Sequence, residues 1–289
     1  MKRQLFTTSL GLVILASAGF AGALGTQTAT VLAKSSSTIS GCAPSQLHLY
    51  KSGQLTVATD APAYTPWFEH NQPRNDKGFE SAVAYAIAEA LGFTRSQVHW
   101  TIEPFDSSYA PGHKTFDFDI NEITITAARA TAVSFSEGYY NDHEALITVK
   151  GSPMVTAHSP SELKTYTYGD QVGTTSLIYI EQKIQATQTP SVYNTLNDVS
   201  SALSDHTIQG FVTDAPTAQY MAASGEVKHG VVVGQFPSND EKYGLLFEKG
   251  NPLVSCVNKA ITKLKSNGDL KRLQNKWLGI YIKIPTIAP

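Results

Sequence analysis

The sequence predicts an α/β protein made of two successive units, each with a largely parallel sheet covered by helices. Two observations predict this class. Strand-like and helix-like segments alternate from Leu55 onward in a β-α-β-β order, and a second run of the same kind follows Thr167. Such alternation is typical of sheets whose faces are covered by the connecting helices. No stretch of sequence recurs, so only the architecture is repeated.

Hydrophobic spacing assigns the elements of the first unit. A β-branched strand spans 55–59. Apolar residues recur at three- and four-residue intervals over 79–91, which predicts a helix. Alternating apolar residues predict strands at 98–102 and 116–120, and the second of these leads directly into the segment 121–129.

The same signals assign the second unit and the C-terminal part. The predicted segments are a strand leading to 172–176, helices at 177–184 and 199–203, a strand at 210–214, a helix at 216–223 and, after 243–247, helices at 253–264 and 270–277. The spacing of their apolar residues gives each helix one buried face.

The N-terminal residues predict an export signal. The chain begins with a cationic tripeptide and an apolar run at 10–23, which predicts a secretory signal over 1–33, followed by a leader over 34–46. The alternative is an N-terminal anchor helix, although the run is short for a membrane span.

The charge balance argues against a nucleic-acid partner. Lys and Arg number 22 and Asp and Glu 24, with no clustered basic face, so no nucleic-acid partner is expected.

Two cysteines, Cys42 and Cys256, are too few for a structural zinc site. In an oxidising compartment an even pair predicts one disulfide, which stabilises by about 4–5 kcal/mol when it closes so long a loop. The alternative is lipidation, because Ile39-Ser40-Gly41-Cys42 resembles a lipoprotein cleavage box. A long polar stretch between the apolar run and Cys42 favours the disulfide.

One segment carries most of the chemistry. Thr124 and Thr126 end a predicted strand, and Arg129 follows on a short helical turn. In open α/β sheets, ligands bind beyond the C-terminal ends of the strands. A guanidinium beside hydroxyl groups suits bidentate capture of a carboxylate. The alternative is an ordinary surface arginine.

Several motifs accompany this segment in a fixed order. They are LTVATD and YTPWF within 55–68, GFE at 78–80, FDFDI at 116–120, VSFSEGYY at 133–140, GTTS at 173–176, GFVTDAPT at 210–217, and NGDL with WLG within 267–279. Together they resemble the amino-acid-binding proteins of ABC importers, the polar amino-acid solute-binding family (family 3), over nearly all of the chain from Leu55 to Gly279.

The resemblance implies a two-lobed, type II periplasmic-binding-protein-like fold, with two mainly parallel sheets flanked by helices and joined by two hinge strands. The first lobe would comprise 47–140 and 244–289, and the second lobe 145–238. Crossings are expected near 141–144 and 238–243, with closure by hinge bending. The implied protein is an exported monomer without a cofactor, periplasmic, secreted or anchored at the cell surface, that delivers a free amino acid to a membrane permease.

The resemblance also implies roles for individual residues. Arg129 would bind the ligand's α-carboxylate together with Thr124 from the same lobe and with the helix start at Thr174 and Thr175 from the other lobe. Asp214 would pair with the α-ammonium group. The alternative for Asp214 is an N-cap of the helix that follows it.

Ligand specificity is expected from other positions. Tyr64 would pack over the ligand's side chain with Trp67 supporting it, although both could be ordinary core residues. Asp60 would contact the ligand or lock the hinge. Asn121 and Glu122 stand where the family usually has small residues. If Glu122 overhangs the pocket, it favours a cationic or hydrogen-bonding ligand. The alternative is that it faces solvent or pairs with a lysine.

An enzyme is not expected, because catalytic motifs are lacking. The sequence has no Gly-x-Ser-x-Gly elbow, its eight histidines show no metal-ligand spacing, and Gly173-Thr174-Thr175-Ser176 lacks the lysine of a phosphate-binding loop. One enzyme alternative remains. Cyclohexadienyl dehydratases use the same fold and need a pocket carboxylate as proton donor, a role that Glu122 could fill.

Overall fold

The computed structural model describes residues 39–237 and 240–287. The predicted signal segment and residues 34–38 of the predicted leader lie outside this part. The strands are β1 Leu55–Thr59, β2 Val98–Ile102, β3 Phe118–Asp119, β4 Ser134–Phe135, β5 Tyr140–Asn141, β6 Glu144–Val149, β7 Gly169–Gln171, β8 Ser191–Tyr193, β9 Phe211–Asp214, β10 Gly230–Gln235, β11 Lys242–Tyr243 and β12 Leu246–Phe247.

Helices alternate with these strands. They are α1 Phe79–Ala90, α2 Phe105–Ser108, α3 Arg129–Ala132, α4 Pro160–Leu163, α5 Thr175–Tyr179, which continues as a π-helix over Ile180–Ile184, α6 Leu196–Ser204, α7 Ala215–Ser224, α8 Leu253–Ser266 and α9 Asp269–Leu278. Among the described residues, no helix is long and apolar enough to cross a membrane.

The first lobe is built on a five-stranded sheet in the order β2-β1-β3-β12-β4. Strand β1 pairs in parallel with β2 and β3, and β12 is antiparallel to both β3 and β4. Helices α1, α8 and α9 pack on one another beside this sheet. Their apolar stripes bury residues such as Phe79, Val83 and Val257, as the helical spacing predicts.

The second lobe contains a three-stranded sheet, β10-β6-β9, and a parallel pair, β7-β8. A parallel bridge between Tyr168 and Gly210 links the pair to the larger sheet. The prediction of a mainly parallel sheet is wrong for this lobe, because β6 is antiparallel to both neighbours. Strand β6 brings the chain into the lobe and β10 leads out of it, so these two strands must run in opposite directions.

Two adjacent chain segments connect the lobes. Strand β5 leads to the second lobe and pairs antiparallel with β11, which returns to the first. The ladder continues through the Asp142 amide, which donates a hydrogen bond of 3.1 Å to the Glu241 carbonyl oxygen. These segments coincide with the predicted crossings, apart from residues 238–239, which lie outside the described part. The hinge itself stays a prediction.

The C-terminal tail differs from the predicted division of the chain. The sequence analysis assigns 244–289 to the first lobe, yet the residues after α9 lie on the second. The Ile287 amide donates to the Gln235 carbonyl oxygen at 2.8 Å. Ile284 and Ile287 are buried in two apolar clusters of the second lobe. The tail therefore forms a third connection between the lobes. The sequence could not predict this connection, because the few apolar residues of the tail have no periodic spacing.

This docking predicts a stability effect. Replacing Ile287 with Ala is expected to lower the free energy of unfolding by about 2 kcal/mol, because a well-buried isoleucine side chain leaves a cavity. Urea unfolding measures the change. Ile280→Ala is the matched control, since Ile280 lies in the same tail but is 81% exposed. Equal stability of the two variants would show that the tail does not dock in solution.

Cys42 and Cys256 form a disulfide, which confirms the favoured pairing. The bond joins the segment before β1 to helix α8. Cys42 is completely buried, and Ile39, Leu47 and Leu49 of the same segment pack on the first lobe's core. Because the sulfur of Cys42 is bonded to Cys256, it is not available for a lipid in this structure.

Candidate functional site

A cleft lies where the two lobes face each other. Its first-lobe wall is formed by Asp60, Tyr64, Phe105, Asn121 and Glu122. Its second-lobe wall is formed by Asp170, Gln171, Thr174, Thr175, Ser176, Leu196, Thr213 and Asp214. Most of these residues stand at or just beyond strand ends, where α/β sheets place their ligands.

The cleft brings together seven of the ten residues predicted to contact a ligand. They are Asp60, Tyr64, Asn121, Glu122, Thr174, Thr175 and Asp214. The other three stand behind this wall: Thr124 contacts Thr175, Arg129 contacts Phe105, and Trp67 is linked to Asp214 through Thr217. The structure thus gathers the predicted set from both lobes, while the binding roles stay predictions.

Arg129 is buried at the start of α3 and bridges the lobes. One of its terminal nitrogens, Nη1, donates to the Thr124 carbonyl oxygen at 2.8 Å. The other, Nη2, donates to the carbonyl oxygen of Gly173 in the second lobe at 2.9 Å. The guanidinium lies over the rings of Tyr109 and Phe105 at 4.8 and 5.4 Å. Burial lowers its pKa from the ordinary value, yet an arginine stays protonated.

Gly173 makes this approach of the two lobes possible. Its φ of +75° lies in the left-handed region, which favours glycine. A Cβ atom at this position would lie only 1.9 Å from the Tyr109 hydroxyl oxygen. Beside it, the hydroxyl groups of Thr124 and Thr175 are 3.3 Å apart across the cleft. The turn before α5 therefore touches the Arg129 segment directly.

Asp214 is held by two side chains rather than by backbone amides of the helix that follows it. The Tyr243 hydroxyl donates to Oδ1, and Thr217 Oγ1 donates to Oδ2 at 3.0 Å. The carboxylate makes no capping bond to the backbone of α7. Burial raises its pKa to about 6. Asp214 thus stands at the N-cap position of α7 without a side-chain capping bond, and its carboxyl group is fixed at the cleft wall.

The two predicted aromatic residues occupy different layers. Tyr64 lines the cleft and packs against the second lobe's apolar cluster. Trp67 is completely buried behind it, and its indole N–H donates to Thr217 Oγ1 at 2.8 Å. Since Thr217 in turn donates to Asp214, Trp67 supports the site through a chain of hydrogen bonds.

Glu122 faces the cleft next to a second carboxyl group. Its backbone is in the left-handed region, with φ of 48°, which turns the side chain at the strand end. The Glu122 amide donates to Glu80 Oε1 at 2.8 Å, and the Tyr139 hydroxyl donates to the same oxygen. The Glu122 carboxyl group therefore lies beside that of Glu80, and no lysine forms an ion pair with it among the described residues.

Buried carboxyl groups surround the cleft and the crossings. Burial raises the pKa of Glu80 to about 7 and holds that of Glu122 well above its ordinary value. The same cause raises the pKa of the remaining members, Asp119, Asp142, Glu144 and Asp170. A proton neutralises a carboxylate that lacks water or a cation, so these groups favour the protonated form in the folded protein.

These shifts predict an unusual pH dependence of stability. In the unfolded chain the same groups titrate near about 4. Because the pKa values are raised in the folded protein, protonation of these groups stabilises the fold. This stabilisation is complete below about pH 4 and is lost as the pH rises through about 7, the pKa of Glu80. The melting temperature should therefore fall by several degrees across this window, as measured by calorimetry. Asp119→Asn should flatten the profile, and a melting temperature that rises with pH would contradict the prediction.

Sequence reasoning missed several residues of the wall. Gln171 ends β7 and Thr213 precedes Asp214 at the end of β9, so the strand-end rule could have found both. Phe105 follows β2 by a few residues and fits the same rule. Asp170 lies in a strand interior and carries no local signal. Glu80, in the first turn of α1, contacts Glu122 rather than the cleft itself, and only tertiary packing brings the two together.

Known proteins resemble this chain over most of its length. The sequence model of the bacterial extracellular solute-binding proteins, family 3, matches residues 55–280. The arginine-binding extracellular protein ArtP of Bacillus subtilis (strain 168) is 26% identical over 231 residues, which cover 78% of this chain and 86% of that protein.

Two solved structures share the fold. An ancestral arginine-binding protein bound to glutamine aligns with a TM-score of 0.69 at 27% identity, over 79% of this chain and 99% of that one. The ancestral amino acid-binding protein AncCDT-1, a precursor of cyclohexadienyl dehydratase, aligns with a TM-score of 0.65 at 26% identity, over 78% of this chain and 95% of that one. The two-lobed type II fold is thus confirmed.

Proposed function

The chain belongs to the bacterial extracellular solute-binding proteins, family 3, and from this premise we propose that it binds a free amino acid between its lobes and delivers it to the permease of an ABC importer. The observation that carries the proposal is the cleft itself. Residues from both lobes line it, among them Asp60, Glu122, Thr175 and Asp214. A ligand that contacts both walls holds the lobes together.

The charges of the site suit the two ends of an amino acid. Asp214, fixed by Tyr243 and Thr217, accepts the α-ammonium group. Arg129 lies next to Thr124 and Gly173, where the lobes touch, and its planar fork suits the α-carboxylate. In the complex the ligand's carboxylate replaces a backbone carbonyl as the acceptor of Arg129.

The remaining wall residues complete the proposed contacts. Thr174 and Thr175 at the start of α5 donate to the carboxylate from the second lobe. Tyr64 covers the ligand's side chain, and Trp67 holds this wall from behind. Asp60 and Asn121 line the same cleft and would contact the ligand's side chain.

The proposal extends to location and assembly. The family is extracellular, and the disulfide fits an oxidising compartment. We therefore propose export after removal of residues 1–33, without lipid at Cys42. The protein would act as a monomer that docks on a membrane permease, without nucleic acid.

Isothermal titration against the proteinogenic amino acids tests the proposal. At least one amino acid should bind, with a stoichiometry of one per chain. The purified protein is first unfolded and refolded to remove any ligand carried from the cell. Silence across the whole panel would contradict the amino-acid-binding function.

One observation favours a second candidate, a cyclohexadienyl dehydratase-like enzyme. The Glu122 carboxyl group is buried at the cleft with its pKa raised well above the ordinary value, so it can hold a proton. The test is incubation with arogenate or prephenate while product formation is followed. Turnover that is lost in Glu122→Gln, together with silence in the amino-acid panel, would replace the binding function by the enzyme.

A further inference from the structure

The cleft is acidic on both sides. Its lining includes four carboxyl groups, Asp60 and Glu122 from the first lobe and Asp170 and Asp214 from the second, and none of the described lining residues is a lysine or an arginine. Two further observations point to a ligand. The side-chain nitrogen of Asn121 and the Oδ2 oxygen of Asp170 lie in this wall without a hydrogen-bond partner, although the two residues are only 4% and 1% exposed.

Glu122 lines this cleft, and the buried Glu80 lies next to it, since the Glu122 amide donates to Glu80 Oε1 at 2.8 Å. Two carboxyl groups that share a buried site cannot both ionise at low cost, so the pair holds a proton. Glu80 Oε1 is already held by the Glu122 amide and the Tyr139 hydroxyl, so Glu80 is fixed in place. Glu122 Oε1 and Glu80 Oε2 have no hydrogen-bond partner among the described residues. Because Glu122 lines the cleft, its Oε1 is an unused acceptor for a ligand there.

A count of charges indicates what the acceptor receives. In the proposed complex, Arg129 offsets the ligand's α-carboxylate and Asp214 offsets its α-ammonium. Asp60, Glu122 and Asp170 then remain in the lining without a positive partner. A ligand with a neutral side chain leaves these carboxyl groups without a compensating charge, whereas a cationic side chain provides one.

We propose that the Glu80–Glu122 pair binds the cationic side chain of the ligand and releases its shared proton to solvent when it does so. The inference rests on the proposed function and names its substrate class, an amino acid with a positively charged side chain. The cation takes the place of the proton. The O–H bond of the protonated carboxyl group breaks, the proton goes to solvent, and the pair changes from one negative charge to two.

The surroundings of the pair support an exchange near neutral pH. The titratable groups that face it are all neutral or negative: Tyr64, Tyr139, Asp60, Asp119 and Asp214. They disfavour a second negative charge on the pair until a cation arrives. Burial and the neighbouring carboxyl groups hold the pKa of Glu122 well above its ordinary value, so the pair keeps a proton at neutral pH until a bound cation lowers that pKa.

Arginine and citrulline provide the test, since they differ in side-chain charge but hardly in shape. Titration calorimetry in two buffers with different ionisation enthalpies measures both affinity and proton release at neutral pH. Arginine should bind about tenfold more tightly or better, with net release of a proton. Citrulline should bind without release. Glu122→Gln should reduce the preference for arginine, whereas Glu89→Gln, a matched exposed carboxylate on α1, should retain it.

The outcomes separate this inference from the proposed function. Binding of another amino acid with equal affinity for arginine and citrulline would overturn the inference and leave the function standing. Binding of no amino acid would overturn the function itself. Glu80→Gln removes the second acceptor of the shared proton and should abolish proton release. Release that persists in both the Glu80 and the Glu122 variants would show that the proton comes from elsewhere.

Discussion

Replacing Arg129 with Ala is expected to weaken amino-acid binding by about 2–5 kcal/mol, or roughly thirtyfold to several thousandfold. The guanidinium is buried and bridges Thr124 of one lobe and Gly173 of the other. Its loss leaves the ligand's carboxylate in a largely acidic cleft without its cationic partner. Titration of the amino acid identified in the panel measures the effect.

Two further variants separate charge from geometry. Arg129→Lys keeps the charge but removes the planar fork, so an intermediate loss is expected. Arg95→Ala is the matched control, because Arg95 pairs with Asp76 on the exposed surface of the same lobe. Thermal unfolding of each variant checks that the fold persists. Unchanged affinity in a folded Arg129→Ala protein would rule out the proposed carboxylate site.

Much of the secondary structure follows from the sequence pattern. The predicted strands at 55–59 and 98–102 coincide with β1 and β2, and the helix over 79–91 with α1. Strand β6 carries no such signal, since all six of its residues are buried and its apolar run has no alternation. The antiparallel pairing of the second lobe depends on where the chain enters and leaves, which no local pattern encodes.

The candidate site divides in the same way. Residues that follow strands, such as Asp60 and Asp214, could be predicted because strand ends converge on one edge. The sequence left two alternatives for Glu122, and only the left-handed backbone at this residue turns it toward the cleft. Its partner Glu80 could not be predicted as such, because α1 and the strand end before Glu122 meet only through tertiary packing.

Removing the disulfide is expected to lower the free energy of unfolding by about 4–5 kcal/mol. The bond closes a loop between residues 214 positions apart, so the unfolded chain gains much conformational freedom when Cys42 and Cys256 are both replaced by Ala. Cys42 is also completely buried in the first lobe's core. Unfolding in guanidinium chloride measures the difference between the variant and the oxidised protein.

The same variant should retain amino-acid binding under conditions in which it remains folded, because neither cysteine lines the cleft. Reduction of the unaltered protein serves as the chemical counterpart of the double substitution and should lower the midpoint by a similar amount. Thiol titration of the unfolded, unreduced protein provides an independent check on the bond. Two free thiols, or a midpoint that does not respond to reduction, would show that the chain is stable without this link and that its N-terminal segment is held by apolar packing alone.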